Sequence, residues 1–434
     1  MADVCPGCFA DASAALSNPA ALGNALDNSF LSYVALAGEN NALTFSQAMF
    51  LASQSSRPVA LDVPARGVWG RWNGTLGVAL SYASTAITAS FRALREDRGL
   101  SESAIRAVLG DMTLGPGKAH SLTGTSRTHA ILSYGIAYGR EIPVRLRDWK
   151  FLVGSAVRVE LGASLSEYQF DVTDWSQASS GVSAATASRN HVLHTRAQDA
   201  AGWGMDVGAL LTGPGGFSFS FSAQNLWAET LWHDAHVWTG CFEPSPSGGR
   251  LCEEPIAPAP TPDAQGNWPA PRAAPVCSCL GPAGLYPNGN PDPPEDCTTR
   301  PGCRTMAIRQ IHRPVLRHDL SWRPPRWRRF DGAVGFGVDA DTGERWIDGT
   351  PRHKQYRFRA GGQAGHGPWK ARLGYSSRFA YYDLLPEQHE GGDWTAGIAY
   401  ESGSLWIENA ISTAEKLRAD SFAPMISLGV TARF

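Results

Sequence analysis

The stretch Ile426-Ser427-Leu428-Gly429-Val430-Thr431-Ala432-Arg433-Phe434 alternates strictly with a period of two. Successive side chains of a β-strand point to opposite faces. Ile426, Leu428, Val430, Ala432 and Phe434 therefore share one face, and Ser427, Gly429, Thr431 and Arg433 the other. An apolar row backed by a small or polar row is what the wall of a membrane barrel needs, because lipid lies outside it and the lumen inside. A strand of a soluble sandwich alternates in the same way, so this stretch decides the fold only together with the rest of the chain.

The same grammar recurs upstream. Strands are expected near residues 29–37, 41–51, 67–74, 75–85, 128–140, 149–160, 162–173, 194–212, 216–227, 308–322 and onward to the terminus. Asn73-Gly74, Gly213-Pro214-Gly215-Gly216, Gly365-His366-Gly367-Pro368 and Ser402-Gly403 supply turn chemistry between them. Tryptophan, tyrosine and phenylalanine number 15, 11 and 17, and many stand near the expected strand ends. Rings that are apolar at one edge and polar at the other favour the headgroup level, which suggests interfacial girdles. The expectation is an all-β fold: a transmembrane antiparallel β-barrel of about 14 strands with a short N-terminal plug. The plug is placed at 1–28 and the barrel at 29–434.

Composition agrees and narrows the choice. No run of 18 apolar residues exists, so no transmembrane helix is expected. A barrel strand crosses with about 10 alternating residues, which suits a mean hydropathy of -0.22. The net charge of -2 provides no basic field for nucleic acid.

Two segments break the rhythm. One is a smaller insertion at 86–127, holding a short helical pattern with Ser101 as N-cap and Gly110 as its stop. The other, 229–306, is rich in Pro, Gly and Cys and is expected as an extramembrane loop. The chain has eight cysteines: Cys5, Cys8, Cys241, Cys252, Cys277, Cys279, Cys297 and Cys303. Their even number and clustering suggest disulfides and an oxidising compartment. A redox role for Cys5 and Cys8 would call for an α/β fold that the pattern does not show. Zinc fits poorly, since Cys277 and Cys279 are spaced too tightly. His233 and His236 could offer two metal ligands but no third is evident, so neither a metal nor a cofactor is expected. Asp, His and Ser residues are scattered without an active-site pattern, and no enzyme is expected. The basic run Arg323, Arg326, Arg328 and Arg329 reads as a solvated turn compatible with contact to lipid phosphates.

A chain ending on phenylalanine after such an alternation resembles the C-terminal signal of bacterial outer-membrane barrels. The run from Asp11 through Asn18-Pro19-Ala20-Ala21-Leu22 resembles the N-terminal segment of the long-chain fatty-acid transporter (FadL-like) superfamily. Cys5-Pro6-Gly7-Cys8 stands where that family has a glycine-rich lead. Asp206-Val207-Gly208-Ala209-Leu210 and Gln224-Asn225-Leu226 resemble a strand pair of its PorV-like branch. The resemblance implies a bacterial outer-membrane barrel whose Asn18, Pro19 and Ala20 shape a hatch inside it. It also implies transport or binding of a hydrophobic small molecule, with outer-membrane lipid as the surrounding partner. The competing implication is a PorV-like docking barrel whose cysteine-rich loop binds a secreted or surface protein.

Overall fold

A computed structural model describes residues 12–25, 28–40, 68–108, 113–146, 148–177, 187–245, 248–254, 303–312, 314–324, 330–341, 354–382, 385–414 and 425–434. In chain order the strands are β1 (Ser29–Asn40), β2 (Val68–Tyr82), β3 (Thr85–Leu100), β4 (Thr113–Leu114), β5 (Ala119–Leu146) and β6 (Trp149–Ser176). They continue as β7 (Arg189–Ala197), β8 (Asp199–Thr212), β9 (Phe217–Ser245), β10 (Gly248–Glu254), β11 (Cys303–His312) and β12 (Val315–Trp322). The last six are β13 (Phe330–Asp341), β14 (Lys354–His366), β15 (Trp369–Tyr382), β16 (Leu385–Ser402), β17 (Leu405–Ala414) and β18 (Met425–Arg433). Two short α-helices, α1 (Ala14–Ser17) and α2 (Glu102–Val108), and a 3₁₀ turn at Pro19–Asn24 complete the described elements that matter below.

Fourteen strands close a ring: β1, β2, β3, β5, β6, β8, β9 and β12 through β18, each antiparallel to the next. Closure is made by β1 on β18, in register from Ser29↔Arg433 to Ala37↔Met425. The remaining strands lie above the ring. β7 prolongs β8 along β6, β11 prolongs β12 along β9, and β10 joins β9 to the two-residue β4.

Alternation sorts the two faces of the wall. On β2, Leu76, Val78, Leu80 and Tyr82 are exposed while Ala79 and Ser81 between them are buried. On β18, Ile426, Leu428 and Phe434 point outward and Thr431 inward, as the terminal stretch predicts. The start of β1 and the end of β18 share an end with tight turns at Ala83-Ser84, Gly367-Pro368 and Gly403-Ser404. Ala83, Gly367 and Gly403 each take positive φ there. Short turns mark the periplasmic end of such barrels, and longer connections the outer one.

Several expected boundaries are corrected. Asn73-Gly74 makes no turn, because β2 runs through it with Leu36↔Gly74 and Ala37↔Asn73 paired to β1. A ladder satisfied on both sides outweighs a local turn preference. Residues 149–176 form one strand of 28 residues instead of two. The insertion at 86–127 is mostly wall: β3 and β5 pair across it from Thr85↔Tyr138 to Arg98↔Thr125. The loop at 229–306 also begins as strand, because β9 continues to Ser245 and β10 folds back on it. Polar residues misled the reading there. Beyond the hydrocarbon a strand needs no apolar face, so the lipid pattern ends before the strand does. The expected strand at 41–51 lies outside the described residues.

β5, β6 and β9, of 28, 28 and 29 residues, are far longer than a bilayer requires. Their outer halves carry α2, which begins where expected: Ala104 N–H donates to Ser101 Oγ at 3.4 Å. The expected stop at Gly110 lies outside the described residues. The helix buries Ala104, Ile105 and Ala107 against Leu122, Phe170, Val172, Trp175 and Phe242. Beside this core, His194 stacks on Tyr168 (4.0 Å) and on Trp238 (5.0 Å) in the extramembrane part of the sheet. Burial first, and Arg196 second, disfavour its imidazolium and lower its pKa to about 4. The unfolded imidazole titrates near 6.5, so neutral His194 contributes stability above that pH. The contribution is lost as pH falls from 6.5 toward 4. In ¹⁵N-histidine NMR, the resonance that disappears in His194→Gln is expected to titrate near pH 4, and amide exchange in β7 to speed up in that window. A midpoint at the ordinary histidine value would contradict this packing.

Candidate plug site and outer groove

The N-terminal segment enters the ring from the terminus end and lies inside it. Between Ala12 and Ala25 it holds no charged residue. Ala14, Ala15, Ala20, Ala21 and Leu22 are buried against the lumen residues Ala86, Ala137, Leu152 and Leu210. Its seat is a row of glycines on three neighbouring strands, paired as Gly139↔Gly154 and Gly154↔Gly208. A β-carbon at Gly139 would strike the Pro19 carbonyl, at Gly154 the Pro19–Ala20 peptide, and at Gly208 the Asn18 carboxamide. The wall is bare of side chains where the plug backbone rests on it.

Asn18 fixes the segment. Its backbone is extended, its Oδ1 accepts from Ala20 N–H at 3.0 Å, and Pro19 occupies the first position of the 3₁₀ turn. Proline fits there because its missing N–H would be unsatisfied anyway. The Asn18 Nδ2 donates toward the Ala209 carbonyl (3.1 Å), the Ser220 hydroxyl (2.8 Å) and the Phe221 carbonyl (3.2 Å). Two hydrogens thus serve three acceptors on β8 and β9. Asn18 is 1% exposed, so these bonds are shielded from water. Further along, Gln224 Nε2 donates to the Leu16 carbonyl (3.0 Å), and Ala12 N–H to Ser29 Oγ (2.8 Å).

Around the plug the lumen is charged. Arg158 binds Glu160 (2.8 Å) and Asp206 (2.8 Å), and Glu160 accepts from Thr230 Oγ1 (2.9 Å). Arg359 lies between Asp319 and Asp339, each at 2.7 Å. Lys370 lies between Asp331 (3.2 Å) and Glu401 (2.8 Å), while Arg372 binds Glu408. Lys370 and Arg372 both stand over the Trp406 ring, at 4.9 and 5.1 Å. Each of these cations already holds one or two carboxylates.

The opposite face of the same wall carries an apolar groove of about 680 Å³. Phe219, Phe221, Leu320, Phe336 and Phe358 line it from the outward rows, with His318 at its edge. Ala209, Ser220 and Phe221 border the groove and also hold Asn18. The plug anchor and the lipid-side groove are therefore one strand layer apart.

Asn18, Pro19 and Ala20 come together with Gly154 and Gly208 in one contact. Gly208 faces the lumen, and nothing in the sequence around it tells what it meets. The cysteines are not brought to this site. Cys241 stands opposite Cys252 in the β9–β10 ladder. Cys5, Cys8, Cys277, Cys279 and Cys297 lie outside the described residues, as does the side chain of Cys303. His236 packs edge-on against Trp238 at 5.7 Å, and no cluster of three metal-ligating groups occurs among the described residues. Arg323 binds Asp331 (2.8 Å), whereas Arg326, Arg328 and Arg329 fall outside the described residues. The lumen ion pairs were missed, since alternation tells which charges face inward but not which ones meet.

No protein-family model matches the chain, and no curated protein sequence does. Solved structures do. The toluene transporter TbuX of Ralstonia pickettii is 12% identical, with 98% of this chain and 94% of that one covered at a TM-score of 0.50. The toluene transporter TodX of P. putida is 11% identical over 98% and 95%, at a TM-score of 0.51. A TodX deltaS2S3 mutant, titled a monoaromatic hydrocarbon channel, is 11% identical over 98% and 94%, at 0.52. The likeness is one of fold: a closed antiparallel barrel of 14 strands.

Removing the anchor should loosen the plug and spare the barrel. Asn18→Ala withdraws the bonds to β8 and β9, a loss of about 1–3 kcal/mol at the seat. Gly208→Val fills the space that the Asn18 carboxamide occupies. Both variants are expected to keep the heat-modifiable gel band of the folded barrel while proteinase K cuts within 12–25 faster than in the parent chain. Equal cleavage rates would remove Asn18 as the anchor.

Proposed function

We propose that the protein is an outer-membrane channel for hydrophobic small molecules, with the segment around Asn18-Pro19-Ala20 as its hatch. The observation that carries this reading is the uncharged plug seated on the glycine row Gly139, Gly154 and Gly208. Such a seat is held by a few hydrogen bonds and small apolar contacts, so it can open locally while the ring stays closed. A ligand enters from outside, the plug shifts, and the ligand leaves through the lumen or sideways into lipid.

The ion pairs bear on the kind of ligand. Arg158, Arg359, Lys370 and Arg372 are engaged with carboxylates. An anionic ligand would have to displace one of these partners, which costs free energy in a shielded site. A neutral ligand makes no such demand. The similar structures are a toluene transporter and a monoaromatic hydrocarbon channel, which fits the same class. The PorV-like docking reading rests on a loop whose residues 255–302 lie outside the described ones.

Proteoliposomes holding the purified chain are expected to accumulate radiolabelled toluene faster than empty vesicles, with Asn18→Ala altering the rate. Equal rates with and without the protein would end the channel reading. The cysteines are proposed to be fully paired outside the bilayer, with Cys241 joined to Cys252. Non-reducing peptide mapping by mass spectrometry should recover that link, and a different partner for Cys241 would replace it.

A further inference from the structure

The seventh strand of the ring, β9, carries a break that the proposed transport does not by itself explain. Its pairing with β8 jumps from Met205↔Trp227 to Val207↔Ala223, so β9 has two residues more than β8 in this interval. On its other edge, pairing with β11 ends at Ala228↔His312 and pairing with β12 starts at Gln224↔Val315. Between those points lies Pro314, which has no N–H to offer a ladder. Around Asn225 the strand therefore loses regular partners on both sides.

Lone bulges in a membrane wall are costly unless their polar groups are satisfied. Here the satisfaction is specific. Asn225 sits at φ 55, a left-handed conformation that asparagine tolerates better than most residues. Its N–H donates to Asp206 Oδ1 at 2.7 Å, and its Oδ1 accepts from Arg158. Arg158 is itself held by both oxygens of Asp206 (2.8 and 2.9 Å) and by Glu160. The residue before the bulge is Gln224, whose amide donates to the carbonyls of Leu16 (3.0 Å) and Ser17 (3.4 Å). Those are the carbonyls at the end of α1 in the plug. Asn18, next in sequence, is bound to β8 and β9 on the near side of the bulge.

We infer that this bulge is the receiver of the plug, and that Asp206 and Arg158 are positioning residues that hold it in shape without touching the plug. If Asp206 no longer accepts from Asn225, that N–H has no ladder partner to return to. The strand then regains pairing only by drawing in its two extra residues, which carries Gln224 away from Leu16 and Ser17. The clasp thus ties the charged lumen network to the seating of an uncharged segment. The inference rests on the hatch reading of that segment, but its readout is the plug itself.

Hydrogen–deuterium exchange of the full chain in detergent tests it. In Gln224→Ala and in Asp206→Ala, amides within 12–25 are expected to exchange about 3- to 10-fold faster, as loss of roughly one hydrogen bond implies. Peptides from β16 and β17 should not change. Asn225→Gly keeps both the backbone angle and the N–H to Asp206, and is expected to leave plug exchange near the parent rate. Should Asp206→Ala fail to fold, Asn225→Ala serves in its place, because alanine resists positive φ and should release the plug as well. Unchanged plug exchange in Gln224→Ala and the folded clasp variant would overturn the inference, as would faster exchange spread evenly over the barrel. Faster plug exchange together with no toluene uptake would keep the clasp and discard the channel.

Discussion

Everything in this structure depends on one constraint: in hydrocarbon a peptide group cannot turn to water for a hydrogen bond. A sheet meets that constraint only by having no edge. The register of β1 on β18, from Ser29↔Arg433 onward, is therefore the contact on which the other strands rely. It also explains why a turn dipeptide such as Asn73-Gly74 remains extended. Its backbone groups are claimed by β1 on one side and β3 on the other. Where the ladder does lapse, at Asn225, a carboxylate stands in for the missing carbonyl.

Closing the ring creates a second interior, and its chemistry is the reverse of a soluble core. The apolar rows go to lipid, so the lumen receives serine, glycine and charge. Arg359 between Asp319 and Asp339 is buried to 6% exposure, a placement that would be severely unfavourable without both partners. The plug fits here by being small and uncharged. It meets glycine where backbone must approach backbone, and polar side chains where its own carbonyls need donors. Gln224 and Asn18 make the same kind of bond in opposite directions across one interface: a wall amide reaching plug carbonyls, and a plug amide reaching wall carbonyls.

The fold was largely legible in the sequence, and the reason is local. Alternation is a property of neighbouring residues, so Ile426 through Phe434 shows its two faces without knowing its partners. Asn18-Pro19 could likewise be read as a cap before a turn. The limits are equally physical. Where β5, β6 and β9 leave the bilayer the outward row no longer has to be apolar, and the pattern that announces a strand fades while the strand continues. Asn18 and its acceptors Ala209 and Phe221 are 191 and 203 positions apart. Nothing in the spacing of Asp206, Gly208 and Gln224 says that all three gather about one segment. Pairing that comes from closure of the ring is invisible until the ring is closed.

That separation also bears on how the molecule can move. Global opening of the ring would expose a whole ladder to lipid, whereas releasing the plug exposes a handful of bonds to a polar lumen. Each of those bonds is worth about 1 kcal/mol net. The anchor at Asn18 and the receiver at Gln224 therefore belong to the low-stability end of the structure, while β1 and β18 belong to the other. A wall bonded along both edges of every strand and a plug held by a few bonds are consequences of the same rule applied on its two faces. The bulge at Asn225 lies where those two regimes meet: it is part of the wall, yet its hydrogen bonds run into the lumen. Its charged clasp holds this one stretch of wall in the shape that meets Leu16 and Ser17.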